Sequence, residues 1–552
     1  MISNPVLPGF NPDPSIIRVG SDYYIATSTF EWFPGVQIHH STDLVNWRLV
    51  SRPLRRPSQL DLRGVPDSCG IWAPCLSHAK GRFYLTYSLV RRYGRTTEYG
   101  AQGTSLRDFH NYVVTAEAIE GDWSDPVYLN SSGFDPSLFH DADGKSYLLN
   151  LLWDHRRGHN RFAGILMQPY DTEREILTGE PKLIFEGTEL GYTEGPHLYR
   201  RDGWYYLVVA EGGTGWDHAV TLARSRALYG PYEVCPYGPI LTSRGRPDLA
   251  LQRAGHGDLV EAEDGTWLIA YLCARPVPGT QHCVLGRETA LQPVRWTQDG
   301  WIEPSDPLPQ LDQAADATAA DAQVYMFDGA LPSDFQWLRT PYPEALFSLS
   351  ARPGHLTLFG CESIGSLFEQ SLVGRRQTSF CYEATTVVDF EPESFQQSAG
   401  LVCYYNSTKF HYAYISLDEV AGRHLCVMSA LPDPACPEAL SRLYPLPDGP
   451  VELRVVSDGR QLRFSYRTGG AWQDLEEVFD ATCLSDEATL PGHPSFTGTF
   501  VGMACQDTSG RACPAHFAGF AYTNRGRRRK RRACHDVAAS RDGLLTILSA
   551  RS

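Results

Sequence analysis

Between residues 1 and about 305, apolar and aromatic positions gather in short runs broken by tight polar turns, and one arrangement of them recurs five times. A small or polar residue opens each copy, apolar residues follow, a charged or glycine-bearing turn intervenes, and an aromatic-rich run closes it. The copies are Asp13-Pro-Ser-Ile-Ile…Asp22-Tyr-Tyr-Ile, Ala73-Pro-Cys-Leu…Gly81-Arg-Phe-Tyr-Leu, Asp135-Pro-Ser-Leu-Phe…Asp143-Gly-Lys-Ser-Tyr-Leu, Glu194-Gly-Pro-His-Leu…Asp202-Gly-Trp-Tyr-Tyr-Leu and His256-Gly-Asp-Leu-Val…Asp264-Gly-Thr-Trp-Leu. Their openings lie 60, 62, 59 and 62 residues apart. A near-constant period built from short strands predicts a β-propeller, one blade per copy. Asp143-Gly144, Asp202-Gly203 and Asp264-Gly265 fall between apolar runs, where a tight hairpin needs the positive φ that glycine accepts. Long helical periodicity is absent, so residues 1–305 read as a five-bladed propeller.

The pattern then changes. Pro307-Leu-Pro-Gln and the alanine- and aspartate-rich stretch up to Ala322 read as a linker over residues 306–325. From 326 to 524 strict alternation returns, as in Val451-Glu-Leu-Arg-Val-Val and Leu462-Arg-Phe-Ser-Tyr-Arg. Period two with one polar face predicts an antiparallel β-sandwich. Residues 525–552 open on Arg525-Gly-Arg-Arg-Arg-Lys-Arg-Arg532 and resume no strand pattern. This tail reads as a disordered extension, with a nuclear-type address or a polyanion-binding arm as the other readings.

A length of 552 residues calls for more than one core. The net charge of −15 argues against nucleic acid as the main partner. No apolar run is long enough to span a bilayer, and Met-Ile-Ser-Asn-Pro-Val-Leu-Pro has neither the basic nor the apolar region of a secretory signal. The 14 cysteines are scattered without a Cys-x-x-Cys pair, as expected of buried thiols in a reducing compartment. These features together predict a cytoplasmic protein.

The blade openings carry the chemistry. Asp13 alone reads as a turn residue, because Asn, Asp and Pro all favour turns. Asp135 repeats its Asp-Pro-Ser-apolar signature, and Glu194 puts a longer acid at the same opening. If equivalent openings converge on the propeller axis, three carboxylates share one cavity. That set suits glycosidic bond cleavage: one protonated acid to protonate the leaving oxygen, one carboxylate to activate water, and a third whose charge raises the donor's pKa. Oxygen ligation of a divalent cation is the alternative use of such a trio.

Asn4-Pro-Val-Leu-Pro-Gly-Phe-Asn-Pro-Asp-Pro-Ser, Ser28-Thr-Phe-Glu-Trp-Phe-Pro-Gly-Val, Gly70-Ile-Trp-Ala-Pro, Thr193-Glu-Gly-Pro-His-Leu-Tyr, Gly286-Arg-Glu-Thr and Phe496-Thr-Gly-Thr-Phe-Val-Gly-Met resemble, in order, the β-xylosidases of glycoside hydrolase family 43. The resemblance runs from about residue 4 to 524. It implies a five-bladed propeller with a concanavalin-like accessory sandwich, and hydrolysis with inversion. Carried over by motif, Asp13 is the general base, Glu194 the general acid and Asp135 the modulator of Glu194. Inversion needs the acid and base carboxyls roughly 6.5–9.5 Å apart, leaving room for water. Pro136 stands where alanine is common in similar sequences.

The resemblance further implies that Phe30, Trp72 and Phe134 line the first sugar subsite, where flat rings complement the face of a pyranose. His256 would lie beneath the pocket. In some similar proteins this histidine helps hold a hydrated divalent metal, so Ca²⁺ near it is an expectation although no cofactor is required. Arg107, just before Asp108-Phe-His-Asn, would bring a fixed positive charge close by and disfavour metal. Arg287 would donate to sugar hydroxyls and offset the clustered negative charge. Phe496, sent across from the sandwich, would close the pocket to all but one terminal sugar. The implied activity is an exo-β-1,4-xylosidase on xylobiose and xylo-oligosaccharides, with an α-L-arabinofuranosidase or a bifunctional enzyme as the alternative. A non-catalytic sugar-binding propeller is the remaining alternative. The resemblance also implies a homo-oligomer, dimer or tetramer.

Overall fold

The computed structural model describes residues 2–93, 106–308, 322–431, 438–489 and 495–526. Almost all of the regular structure is β, and it falls into five small antiparallel sheets followed by two large ones. The first sheet pairs Ser15–Val19, Asp22–Thr27, Gln37–Ser41 and Arg48–Ser51 in chain order, and the second pairs Gly70–Ala79, Arg82–Arg92, Asp108–Ala116 and Val127–Asn130. The third begins at Ser137–His140, the fourth at Glu194–Arg201 and the fifth at Gln252–Glu261. These are the five blades that the repeat predicts.

Closure of the ring uses the N-terminal segment. The fifth sheet has only three strands, ending at Arg287–Val294, and Leu7 bridges Thr289 on its far side through reciprocal backbone bonds of 3.2 and 3.3 Å. Asn11 adds a bond to the Arg287 carbonyl at 2.9 Å. The N-terminal segment is thereby joined to the last strand of the fifth blade.

The hairpin register corrects the repeat read from sequence. Ser15, Cys75, Ser137, His197 and Asp258 face Ala26, Thr86, Leu149, Val208 and Ala270 across their first hairpins. Two residues earlier stand Asp13, Ala73, Asp135, Gly195 and His256. All five have φ between 38° and 58°, the left-handed region that non-glycine residues seldom adopt. Glu194 therefore does not occupy the equivalent opening; Gly195 does. The glutamate sits one residue earlier, where a pairing irregularity between Glu194 and His197 interrupts the strand.

The two large sheets, nine strands each, face one another in the second half of the chain. Between them lies a core that includes Tyr382, Leu401, Tyr405, Leu453, Phe464, Val501 and Phe517, all essentially without solvent exposure. Ala322–Tyr325, inside the expected linker, already pairs with Pro514–Asn524; residues 309–321 and the basic run from 527 onward lie outside the described residues. One sheet crosses the domain boundary. Trp32–Phe33 from the first blade pairs with Phe335–Leu338 at the sheet's edge, and Trp32 stacks on Phe500 at 3.6 Å between ring centroids. The sandwich is thus fixed over the blade face where the openings lie.

Candidate active site

Three of the openings, Asp13, Asp135 and His256, line a cavity of about 250 Å³ together with Glu194 and Arg287 from the propeller and Phe496 from the sandwich. This is below the usual range of drug-sized pockets, about 300–1,000 Å³. It matches one sugar ring far better than an extended chain.

Asp13 is fully engaged. One carboxylate oxygen accepts the Ser28 hydroxyl at 2.6 Å and the other accepts an Arg287 N–H at 3.3 Å. Asp135 accepts the Gly195 amide at 3.0 Å, so it grips the backbone immediately after Glu194. Burial pushes both Asp135 and Glu194 well above the ordinary carboxylate range, and the neighbouring acids push them further. The Gly195 N–H and Arg287 pull Asp135 back, whereas only Arg287 pulls on Glu194. An acid raised by burial, a neighbouring carboxyl that holds the backbone beside it and a third carboxyl within the same well are parts that acid–base cleavage of an acetal can use.

Arg287 is buried and lines the cavity. Its N–H groups reach Asp13, the Thr214 hydroxyl at 3.1 Å and the Phe496 carbonyl at 2.7 Å. It therefore balances the charge of the acids and pins the sandwich residue to the propeller. His256 is packed so closely beneath Gly195 that a Cβ there would meet its ring at 3.1 Å. Burial lowers its pKa to about 4, which leaves a neutral imidazole. Arg107 stands over Tyr93 and Trp153, at 5.5 and 5.8 Å from the ring centroids; the guanidinium acting on His256 is that of Arg287. An imidazole facing a guanidinium lacks the set of six to eight oxygens that calcium takes, so these residues do not fit a directly bound Ca²⁺. Among the described residues no group of three or more His, Cys, Asp or Glu side chains is arranged to hold a metal.

Aromatic rings form the walls. Trp72 meets Phe30, Phe134 and Phe496 at 5.6, 5.7 and 5.7 Å, the last two nearly edge to face. The sequence reading missed Tyr93, Phe162, Tyr192, Thr214 and His218, which also line the cavity. A signal for three of them was available. In an antiparallel hairpin the end of the second strand lies beside the start of the first, so residues just after Arg82–Arg92 and Trp204–Glu211 share the mouth with the openings. Tyr93 and Thr214 occupy such places, and His218 directly precedes Ala219–Ser225, which pairs with the end of Trp204–Glu211.

Comparison with known proteins gives a consistent result. The model of the family described as Glycosyl hydrolases family 43 matches residues 2–302, and that of the Beta xylosidase C-terminal Concanavalin A-like domain matches residues 325–523. The chain is 51% identical to Xylosidase/arabinosidase 43B of Humicola insolens, covering 94% of this chain and 97% of that one. It is 46% identical to Beta-xylosidase of Bacillus subtilis, covering 94% and 99%. The crystal structure of a xylan beta-1,4-xylosidase from Bacillus halodurans superposes with a TM-score of 0.88 at 47% identity, covering 95% of this chain and all of that one.

Proposed function

This chain belongs to glycosyl hydrolases family 43 and is a glycoside hydrolase, and from that premise we propose that it is an exo-acting β-xylosidase working with inversion. Glu194 gives its proton to the glycosidic oxygen as the bond breaks. Asp13 accepts a proton from the water that attacks the anomeric carbon from the opposite face. Asp135 acts on Glu194 twice, through its charge and through its hold on the Gly195 amide. Arg287 holds Asp13 and keeps three acids in one well tolerable.

The observation that carries this reading is the meeting of three carboxyls from three blades, Asp13 and Asp135 buried and Glu194 partly so, in a well of about 250 Å³ that Phe496 of the sandwich helps to wall. A well of that size takes the terminal sugar and leaves the rest of the chain outside. β-1,4-linked xylobiose and xylo-oligosaccharides are the proposed substrates, in keeping with the names of the relatives. The Humicola relative is named for both activities, which favours α-L-arabinofuranosides as a second substrate. The free, mostly buried thiols described support a reducing compartment, in keeping with a cytoplasmic enzyme.

The test is proton NMR of xylobiose hydrolysis followed from the first minute. The α-anomer of xylose must appear first from the non-reducing end; initial release of β-xylose would overturn inversion. Parallel rates on 4-nitrophenyl β-xyloside and α-arabinofuranoside rank the two substrates.

A further inference from the structure

Ser68 lies in the segment that joins the first two blades, with no solvent exposure and a left-handed backbone at φ 59°. Its three polar groups point to three different places. The amide donates to Glu31 Oε2 at 3.2 Å. The carbonyl accepts the indole N–H of Trp72 at 3.1 Å. The hydroxyl oxygen accepts the backbone N–H of Phe496 at 3.0 Å. Trp72 and Phe496 are the walls supplied by the propeller and by the sandwich, and their rings stand 5.7 Å apart at 88°.

The surroundings hold this residue still. Glu31 is buried, and its carbonyl accepts the Arg339 amide of the sandwich at 2.9 Å. Arg339 reaches back to Asp67, beside Ser68, at 2.7 Å. Asp67 in turn accepts the Ser407 amide at 3.2 Å. A strained backbone that neighbouring bonds over-determine is the kind found at sites where position matters.

We propose that Ser68 is a specificity-determining positioning residue: it sets the gap between Trp72 and Phe496 and so keeps the well closed to a single unbranched terminal sugar. It touches neither the acids nor the bond that breaks, and acts through the two rings. This inference deepens the exo-acting reading and rests on it.

The test uses the full chain with Ser68→Ala and Ser68→Gly. Both remove the hydroxyl acceptor; glycine in addition relieves the left-handed backbone. The substrates are xylobiose and a xylotriose carrying an arabinosyl branch on its non-reducing xylose. Losing the acceptor of one buried N–H corresponds to about a tenfold effect. Both variants should therefore raise KM for xylobiose about tenfold, change kcat less than about threefold, and narrow the preference for xylobiose over the branched probe. In a Phe496→Ala background the serine change should have no further effect on KM.

Four results overturn the inference: wild-type kinetics in both variants, impairment in the alanine variant alone, a fall in kcat at constant KM, or independent effects in the double variant. If the unsubstituted chain fails to hydrolyse xylobiose, the functional reading falls instead. The dissociation constant of free xylose then decides the role of Ser68, with about tenfold weaker binding in both variants expected and unchanged binding refuting it.

Discussion

Three carboxyls of nearly identical intrinsic acidity meet different partners here, and the proposed division of roles rests on that difference. Asp13 has a hydroxyl and a guanidinium to stabilise its charge, whereas Glu194 has burial and two negative neighbours against it. Glu194→Gln removes the proton donor and should lower kcat on xylobiose by about 10²–10⁴-fold. The loss should be much smaller on 4-nitrophenyl β-xyloside, whose phenolate leaves without a proton; equal losses on both substrates would remove Glu194 from the acid role. Asp135→Asn deletes the charge that raises Glu194, so the alkaline limb of the rate profile must move to lower pH. A limb that stays in place or moves up shows that Asp135 does not tune Glu194. The three acids and the cavity rings of Phe30, Trp72 and Phe134 could be named from motif, whereas Tyr93, Phe162 and Tyr192 were missed. Ser28 and Gly195 could not be named, because a single hydroxyl or amide bond leaves no mark on a hydrophobic pattern.

At the level of the strand and hairpin, the repeat shows how a register is chosen by more than its period. Spacing alone sets Glu194 in line with Asp13 and Asp135, whereas pairing sets Gly195 there. The reason is steric: the fourth opening faces the His256 ring at 3.1 Å from a notional Cβ, at φ +58°. A side chain here would have to push the His256 ring aside, and the acid stands at the preceding residue. Gly195→Ala should cost about 1–2 kcal/mol from the left-handed backbone alone, more with the clash, and should reduce kcat by shifting the residue that Asp135 grips. Thermal melting and kinetics on the same sample check it; an alanine variant with wild-type melting temperature and kcat would show that neither contact matters.

Across the whole molecule the two halves are built as one. A first-blade strand extends the sandwich sheet, Trp32 stacks on Phe500, and Arg253 of the propeller forms buried ion pairs with Asp486 and Glu487. Unfolding the sandwich would strip these contacts from the propeller, so calorimetry should record one cooperative transition; two well-separated peaks would contradict it. Glu31 at this junction offers a second check. Burial raises its pKa to about 8, above the ordinary value of an unfolded glutamate, so the folded chain binds the extra proton between those limits. Stability from this group is therefore present at low pH and declines as pH rises towards 8. Glu31→Gln should melt close to wild type near pH 5 and above it near pH 8, and a difference of the opposite sign would show that Glu31 is ionised when folded. Period, alternation and turn chemistry depend on neighbours in sequence, which is why fold class, blade number and the identity of the acids could be read from the chain. The gap between Trp72 and Phe496, the upward shift of Glu194 and the burial of Arg287 depend on groups far apart in the chain. Those features took shape only when the sheets packed, because desolvation and distance do not exist before the chain closes on itself.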